Sequence, residues 1–66
     1  MINHVKEIRV SLELTQQELG DLLKVSRQTI FSIETGKYVP STILSLKIAK
    51  IFNKSVEEIF ILNEKD

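Results

Sequence analysis

A chain of 66 residues has room for one domain and one small core, and its 42% apolar content is enough to offset chain entropy, which excludes a disordered tail. Nine Lys and Arg against nine Asp and Glu cancel to zero net charge, which argues against a nonspecific polybasic binder. There is no cysteine, hence no disulfide staple, and no apolar run approaches the ~20 residues of a membrane span.

The N-terminal MINHVKEIRV carries no signal-peptide apolar block, so the chain reads as soluble and cytoplasmic, with no membrane partner. Residues 3–12 place Val5, Ile8 and Leu12 at helical spacing, which predicts a first helix. Thr15 with Glu18 is a capping-box pattern and opens a second helix with Leu19, Leu22 and Leu23 on its apolar side. Ser26 is the next N-cap, and a third helix runs from Arg27 to about Thr35 with Ile30 and Ile33 facing in. Gly36 falls where a left-handed C-cap belongs. Pro40 breaks the chain, and Ser41 caps a fourth helix through Phe52. Its inward positions are Leu44, Ile48, Ala49 and Phe52, with Leu46 as a further candidate, and Asn53 ends it. Ser55 with Glu58 repeats the capping box and starts a short fifth helix holding Val56, Ile59 and Phe60. The tail ILNEKD is too short for a helix, and Ile61 and Leu62 are too apolar to be left bare. The expected fold is all-α, five short helices in a single domain spanning residues 1–66.

The second and third helices, joined at Lys24-Val25-Ser26, have the spacing of a helix-turn-helix over about residues 16–35. With Ile30 and Ile33 buried, Arg27, Gln28, Phe31 and Ser32 point outward. Arg suits bidentate contact with guanine and Gln with adenine, and both sit at the helix N-terminus, the part of a recognition helix that meets base edges. The charges are also segregated. Lys24, Arg27 and Lys37 oppose only Glu34 in residues 24–38, so a neutral total conceals a basic face. Lys47, Lys50 and Lys54 read as a solvated face, and His4 as a surface residue.

LTQQELGDLLKVSRQTIFSIETGKYVPS, followed by LKIAKIF and SVEEIF, resembles the lambda-repressor-like helix-turn-helix family, the Cro and phage-repressor or XRE type. The resemblance covers essentially the whole chain. It implies a five-helix domain that is usually dimeric and mostly represses transcription, with double-stranded DNA as partner. It makes Arg27, Gln28 and Ser32 base readers, joined by Phe31, whose ring suits a thymine methyl. Gln16, Thr29, Thr35, Lys37, Tyr38 and Ser41 become phosphate contacts, and Arg9 and Glu34 an internal ion pair. The ending IFILNEKD looks like the small stand-alone members, where the tail can add a short strand and help pair the subunits. Residues 56–66, with Ile59, Phe60, Ile61 and Leu62, are therefore the expected dimer segment.

This sequence departs from the family pattern at several positions. Lys24 stands where the turn usually has glycine, at a cost of ~1–2 kcal/mol if left-handed. Gly20 stands where alanine is usual. Leu22, Phe31 and Ile43 are apolar where the family is often polar, so Leu22 and Ile43 are available to a partner. The single His has no cysteine to activate, and no carboxylate pair or Gly-rich phosphate loop is present. Catalysis, a metal, a cofactor and a small-molecule ligand therefore have no support. Two functions remain: a dimeric DNA-binding repressor, and a protein-interaction module such as an antitoxin, in which DNA binding is secondary.

Overall fold

Short-range bonds from the sequence's own hydroxyls and left-handed residues set where each helix starts and stops. The computed structural model describes residues 1–66. Its elements run β1 (Ile2–Asn3), α1 (Val5–Ser11), α2 (Gln16–Leu23), α3 (Arg27–Glu34), α4 (Thr42–Phe52), α5 (Val56–Ile59) and β2 (Phe60–Ile61). At the start of α2, Thr15 Oγ1 accepts the Glu18 N–H at 3.0 Å while the Glu18 carboxylate accepts the Thr15 N–H at 2.9 Å. Ser55 and Glu58 repeat this reciprocal pair at α5, with distances of 3.3 and 2.9 Å. Ser26 and Ser41 cap α3 and α4 by accepting the Thr29 and Leu44 N–H groups, each at 3.1 Å. Each such cap contributes ~1 kcal/mol by satisfying an amide that the helix itself leaves free.

The helix ends are equally local. After α1, α2, α3 and α4 one residue turns left-handed: Glu13 (φ 59°), Lys24 (φ 60°), Gly36 (φ 78°) and Asn53 (φ 54°). In each case the following N–H reaches back five residues. Leu14 donates to the Arg9 carbonyl, Val25 to Gly20, Lys37 to Ser32 and Lys54 to Ala49, at 3.1, 2.9, 2.9 and 3.1 Å. The left-handed residue donates to the carbonyl three before it, which completes the Schellman motif at all four ends. Glycine and asparagine take this conformation readily. Glu13 and Lys24 take it against a Cβ penalty.

The helices close over one core of Val5, Leu19, Leu23, Ile30, Ile33, Leu44, Ile48, Ala49, Phe52 and Ile59. Ile8, Leu14, Val25, Ile51, Val56 and Phe60 pack around it, partly buried. Burying each large aliphatic side chain contributes roughly 1.5–3 kcal/mol before the entropy of ordering it. Gly20 is where α2 meets the turn most closely: a Cβ built there lies 2.8 Å from the Val25 carbonyl oxygen. No helix is long and apolar enough to cross a membrane.

The structure corrects the sequence reading in several places. The first helix does not begin at residue 3, because Ile2 and Asn3 pair antiparallel with Ile61 and Phe60. The Asn3 side chain is busy as well, its Oδ1 accepting the Val5 N–H at 3.2 Å and its Nδ2 donating to the Ile33 carbonyl at 3.0 Å. The five-helix fold and the short strand expected of the tail are both present, and what is new is that the tail strand pairs with this chain's own N-terminal segment. Leu12 is 46% exposed, because α1 stops at Ser11 and the left-handed Glu13 turns Leu14 inward in its place. Leu46 is 58% exposed and does not join the inward face of α4. Ile59 is completely buried within the chain, which removes it from the surface a second subunit can reach. Of the expected dimer segment, Phe60 is half-buried, while Ile61 and Leu62 are exposed.

Candidate nucleic-acid interface

α3 sits on the domain through Ile30 and Ile33, both without solvent exposure, so the opposite side of a 3.6-residue helix must face out. That side carries Arg27, Gln28 and Phe31, all exposed, with Ser32 half-buried beside them. Thr29 lies lower on the helix, its hydroxyl 3.0 Å from Ser26 Oγ within the N-cap. An open groove runs along the start of α3, lined by Val25, Ser26, Gln28, Thr29, Ser32, Tyr38 and Leu44.

Beyond α3 the Schellman turn folds the chain back over the end of the helix. The Lys37 and Tyr38 N–H groups share the Ser32 carbonyl at 2.9 and 3.2 Å. This brings Lys37 Nζ to 5.9 Å from the centre of the Phe31 ring, within cation–π range. The Thr35 hydroxyl turns back onto its own helix, donating to the Phe31 carbonyl at 2.9 Å. Ser41 Oγ is an acceptor in the α4 cap. Both hydroxyl oxygens keep lone pairs, and the cap serine keeps its own proton to donate.

One buried network ties α3 to the rest of the domain. Arg9 Nε donates to Glu34 Oε2 at 2.6 Å, and Arg9 Nη2 to Glu34 Oε1 at 3.3 Å. Arg9 Nη1 donates to the Leu14 carbonyl at 2.7 Å. Gln16 Nε2 also donates to Glu34 Oε1, at 3.0 Å. The Arg9 and Glu34 side chains are 10% and 3% exposed, so this pair is interior. It also decides the electrostatics of the surface. Glu34 is the one acid between residues 24 and 38, and Arg9 neutralises it out of contact with water. The exposed charges of that stretch, Lys24, Arg27 and Lys37, are all positive.

The fold thus brings Arg27, Gln28, Phe31 and Ser32 onto one face, with Lys37 and Tyr38 at its edge. It draws the Gln16 amide inward to Glu34 and turns Thr35 toward backbone. No local pattern signals the Gln16–Glu34, Asn3–Ile33 or Lys37–Phe31 contacts. The first two join residues 18 and 30 positions apart, and the third depends on the fold-back after Gly36.

A helix-turn-helix family model matches residues 5–59, from the start of α1 to the end of α5. The chain is a helix-turn-helix protein of the XRE type. This helix-turn-helix protein is 46% identical over 66 residues to an uncharacterised HTH-type transcriptional regulator of Bacillus subtilis, with 100% of both chains covered. A second such regulator, from Methanocaldococcus jannaschii, is 48% identical over 66 residues, again with 100% of both covered. Among solved structures, the restriction-modification controller protein C.AhdI from Aeromonas hydrophila matches with a TM-score of 0.76 at 27% identity, over 85% of this chain and 81% of that one. Helix-turn-helix membership, these relatives and the exposed face of α3 make the chain a DNA-binding transcriptional regulator.

Proposed function

We propose that this helix-turn-helix protein is a sequence-specific repressor that binds a two-fold symmetric operator as a homodimer. α3 enters the major groove with Arg27 and Gln28 on base edges, Phe31 toward a thymine methyl and Ser32 alongside. Lys37, Tyr38, Ser41, Thr29, Thr35 and Gln16 hold the flanking phosphates, which position the helix without specifying sequence. The observation that carries the reading is the exposed face of α3. It offers two side chains suited to bidentate base contact, sits on a rigid buried base, and is flanked by exposed charge of one sign. The apolar patch of Ile2, Ile61 and Leu62, exposed at 49%, 37% and 77%, supports a second copy at the sheet end of the domain. Two recognition helices would then lie ~34 Å apart, one turn of DNA.

The test is a binding titration on the chain's own promoter and on scrambled duplex, at several salt concentrations. Arg27→Ala or Gln28→Ala should cost ~1–3 kcal/mol per half-site on the operator and much less on scrambled DNA. Lys37→Ala should weaken both duplexes alike and lower the salt dependence by ~1 unit. An operator-to-scrambled ratio unchanged in both Arg27→Ala and Gln28→Ala defeats the base-reading assignment and brings forward the interaction-module reading. Light scattering at micromolar concentration should give twice the 7.6 kDa chain mass. A monomer that stays monomeric on DNA refutes the dimer.

A further inference from the structure

Gln16 opens α2, where a phosphate contact is expected, yet its amide is held by the protein. Its Nε2 donates to Glu34 Oε1, 3.0 Å away. The acceptor is a carboxylate whose side chain is only 3% exposed and which is already paired with Arg9. An ionised carboxylate has no hydrogen to donate, so the amide has one permitted orientation, NH2 toward Glu34 and not carbonyl toward Glu34. A bond to an ionised acceptor is also about twice as strong as a neutral one. A glutamine free in solvent can present either oxygen or nitrogen, whereas the Gln16 amide is directed nitrogen-first by the Glu34 carboxylate. The NH2 group has two hydrogens, and Glu34 takes one.

We infer that Glu34 is a positioning residue for the DNA backbone: it fixes the Gln16 amide so that the second Nε2 hydrogen is presented to a phosphate. This rests on the DNA-binding reading above. One carboxylate, at the last residue of α3, then sets both the backbone contact at the first residue of α2 and the seating of the base-reading helix. The two are coupled, because the same Oε1 accepts from Arg9 Nη2 and from Gln16 Nε2.

The test uses the full chain and a random-sequence duplex of about 20 base pairs, one long enough for two major grooves. Gln16→Met keeps the side-chain length and removes the donor. It should bind ~tenfold more weakly, and its salt dependence should run parallel to wild type, because a neutral amide releases no counterion from the phosphate it contacts. A lost lysine contact would flatten that dependence. Glu34→Gln should show a similar parallel loss, and adding Gln16→Met to it should cost little more. Gln16→Met binding within about twofold of wild type overturns the inference, as does a full additive loss in the double variant. Should Glu34→Gln fail to fold, the side-chain amide of Gln16 in the wild-type protein decides by NMR. Two well-separated Nε2 protons, one protected from solvent exchange and the other open to it, support it, and two nearly equivalent, fast-exchanging protons overturn it. Either contrary result with Arg27→Ala still lowering the operator preference sinks the inference alone. A wild-type chain that binds no duplex sinks the DNA-binding reading itself.

Discussion

Lys24→Gly should stabilise this protein. Lys24 holds φ 60° and ψ 39° at the end of α2, a left-handed conformation that its Cβ opposes by ~1–2 kcal/mol. Glycine removes that strain but is freer in the unfolded chain, which returns ~0.5–1 kcal/mol. No ion pair is lost, because Lys24 is exposed and forms none of the three salt bridges in the structure. The net gain is therefore about 0.5–1 kcal/mol, which corresponds to a rise in Tm of ~2–8 °C for a domain of this size. Lys24→Ala is the matched control: it removes the same side chain, keeps the Cβ, and should leave Tm nearly unchanged. Gly36→Ala is the inverse, since Gly36 sits at φ 78° with nothing within 4 Å of an added Cβ. Its cost of ~1 kcal/mol would be backbone strain alone. Urea and thermal melts of the three variants provide the measurement. If Lys24→Gly and Lys24→Ala shift Tm equally, the effect lies in the lysine side chain and the backbone argument fails.

Gly20→Ala gains ~1 kcal/mol of helix propensity but places a Cβ 2.8 Å from the Val25 carbonyl. It should lower both Tm and operator affinity, and a rise in both would show that the turn yields at no cost. Arg9→Ala and Glu34→Ala each strand a buried charge and should cost ~3–5 kcal/mol, a large share of the total for so short a chain. Denaturation of the double variant should show less than the sum, and strict additivity would mean that the two act independently. The pH dependence follows from Glu58, whose carboxyl is held below its ordinary value, first by the Ser55 backbone N–H and then by the Ser55 hydroxyl. The folded value lies below the unfolded one, so this cap is at full strength above the ordinary glutamate range and is lost as pH falls through the folded value. Protection of the α5 amides, taken relative to their intrinsic exchange rate at each pH, should fall in acid for the wild type and much less for Glu58→Gln, and an equal fall in both would place the pH effect elsewhere.

The parts legible in the sequence were those whose chemistry is local. Thr15, Ser26, Ser41 and Ser55 each act on an amide three residues away, so a short window contains the whole interaction. The buried spacing of Ile30 and Ile33 likewise forces Arg27 and Gln28 outward without reference to any other helix. What stayed hidden was nonlocal. Nothing near Ile2 and Asn3 announces their pairing with Ile61 and Phe60 at the other end of the chain. The helical spacing of Val5, Ile8 and Leu12 extends smoothly past the true start and end of α1. The exposure of Leu46 depends on how α4 is rotated against its neighbours, which a period with apolar residues on several sides does not fix. For the site, residue types could nominate Gln16 as a surface donor but could not reveal that a buried carboxylate already holds one of its two hydrogens.

The Schellman closure between α2 and α3 has a consequence for how this protein can change. Val25 is tied back to Gly20 and Ser26 is tied forward to Thr29, leaving no slack residue between the two helices. One residue inserted between Lys24 and Ser26 would break either the Val25–Gly20 bond or the Ser26 cap and shift α3, with its reading face, against α2. Substitution can therefore retune which bases are read without disturbing this turn, while insertion or deletion here cannot. The α1–α2 and α4–α5 turns are closed in the same way, by Leu14 with Thr15 and by Lys54 with Ser55. Length variation in relatives of this chain should therefore collect after Gly36, ahead of the Ser41 cap, where an added residue lengthens a loop and leaves both closures intact.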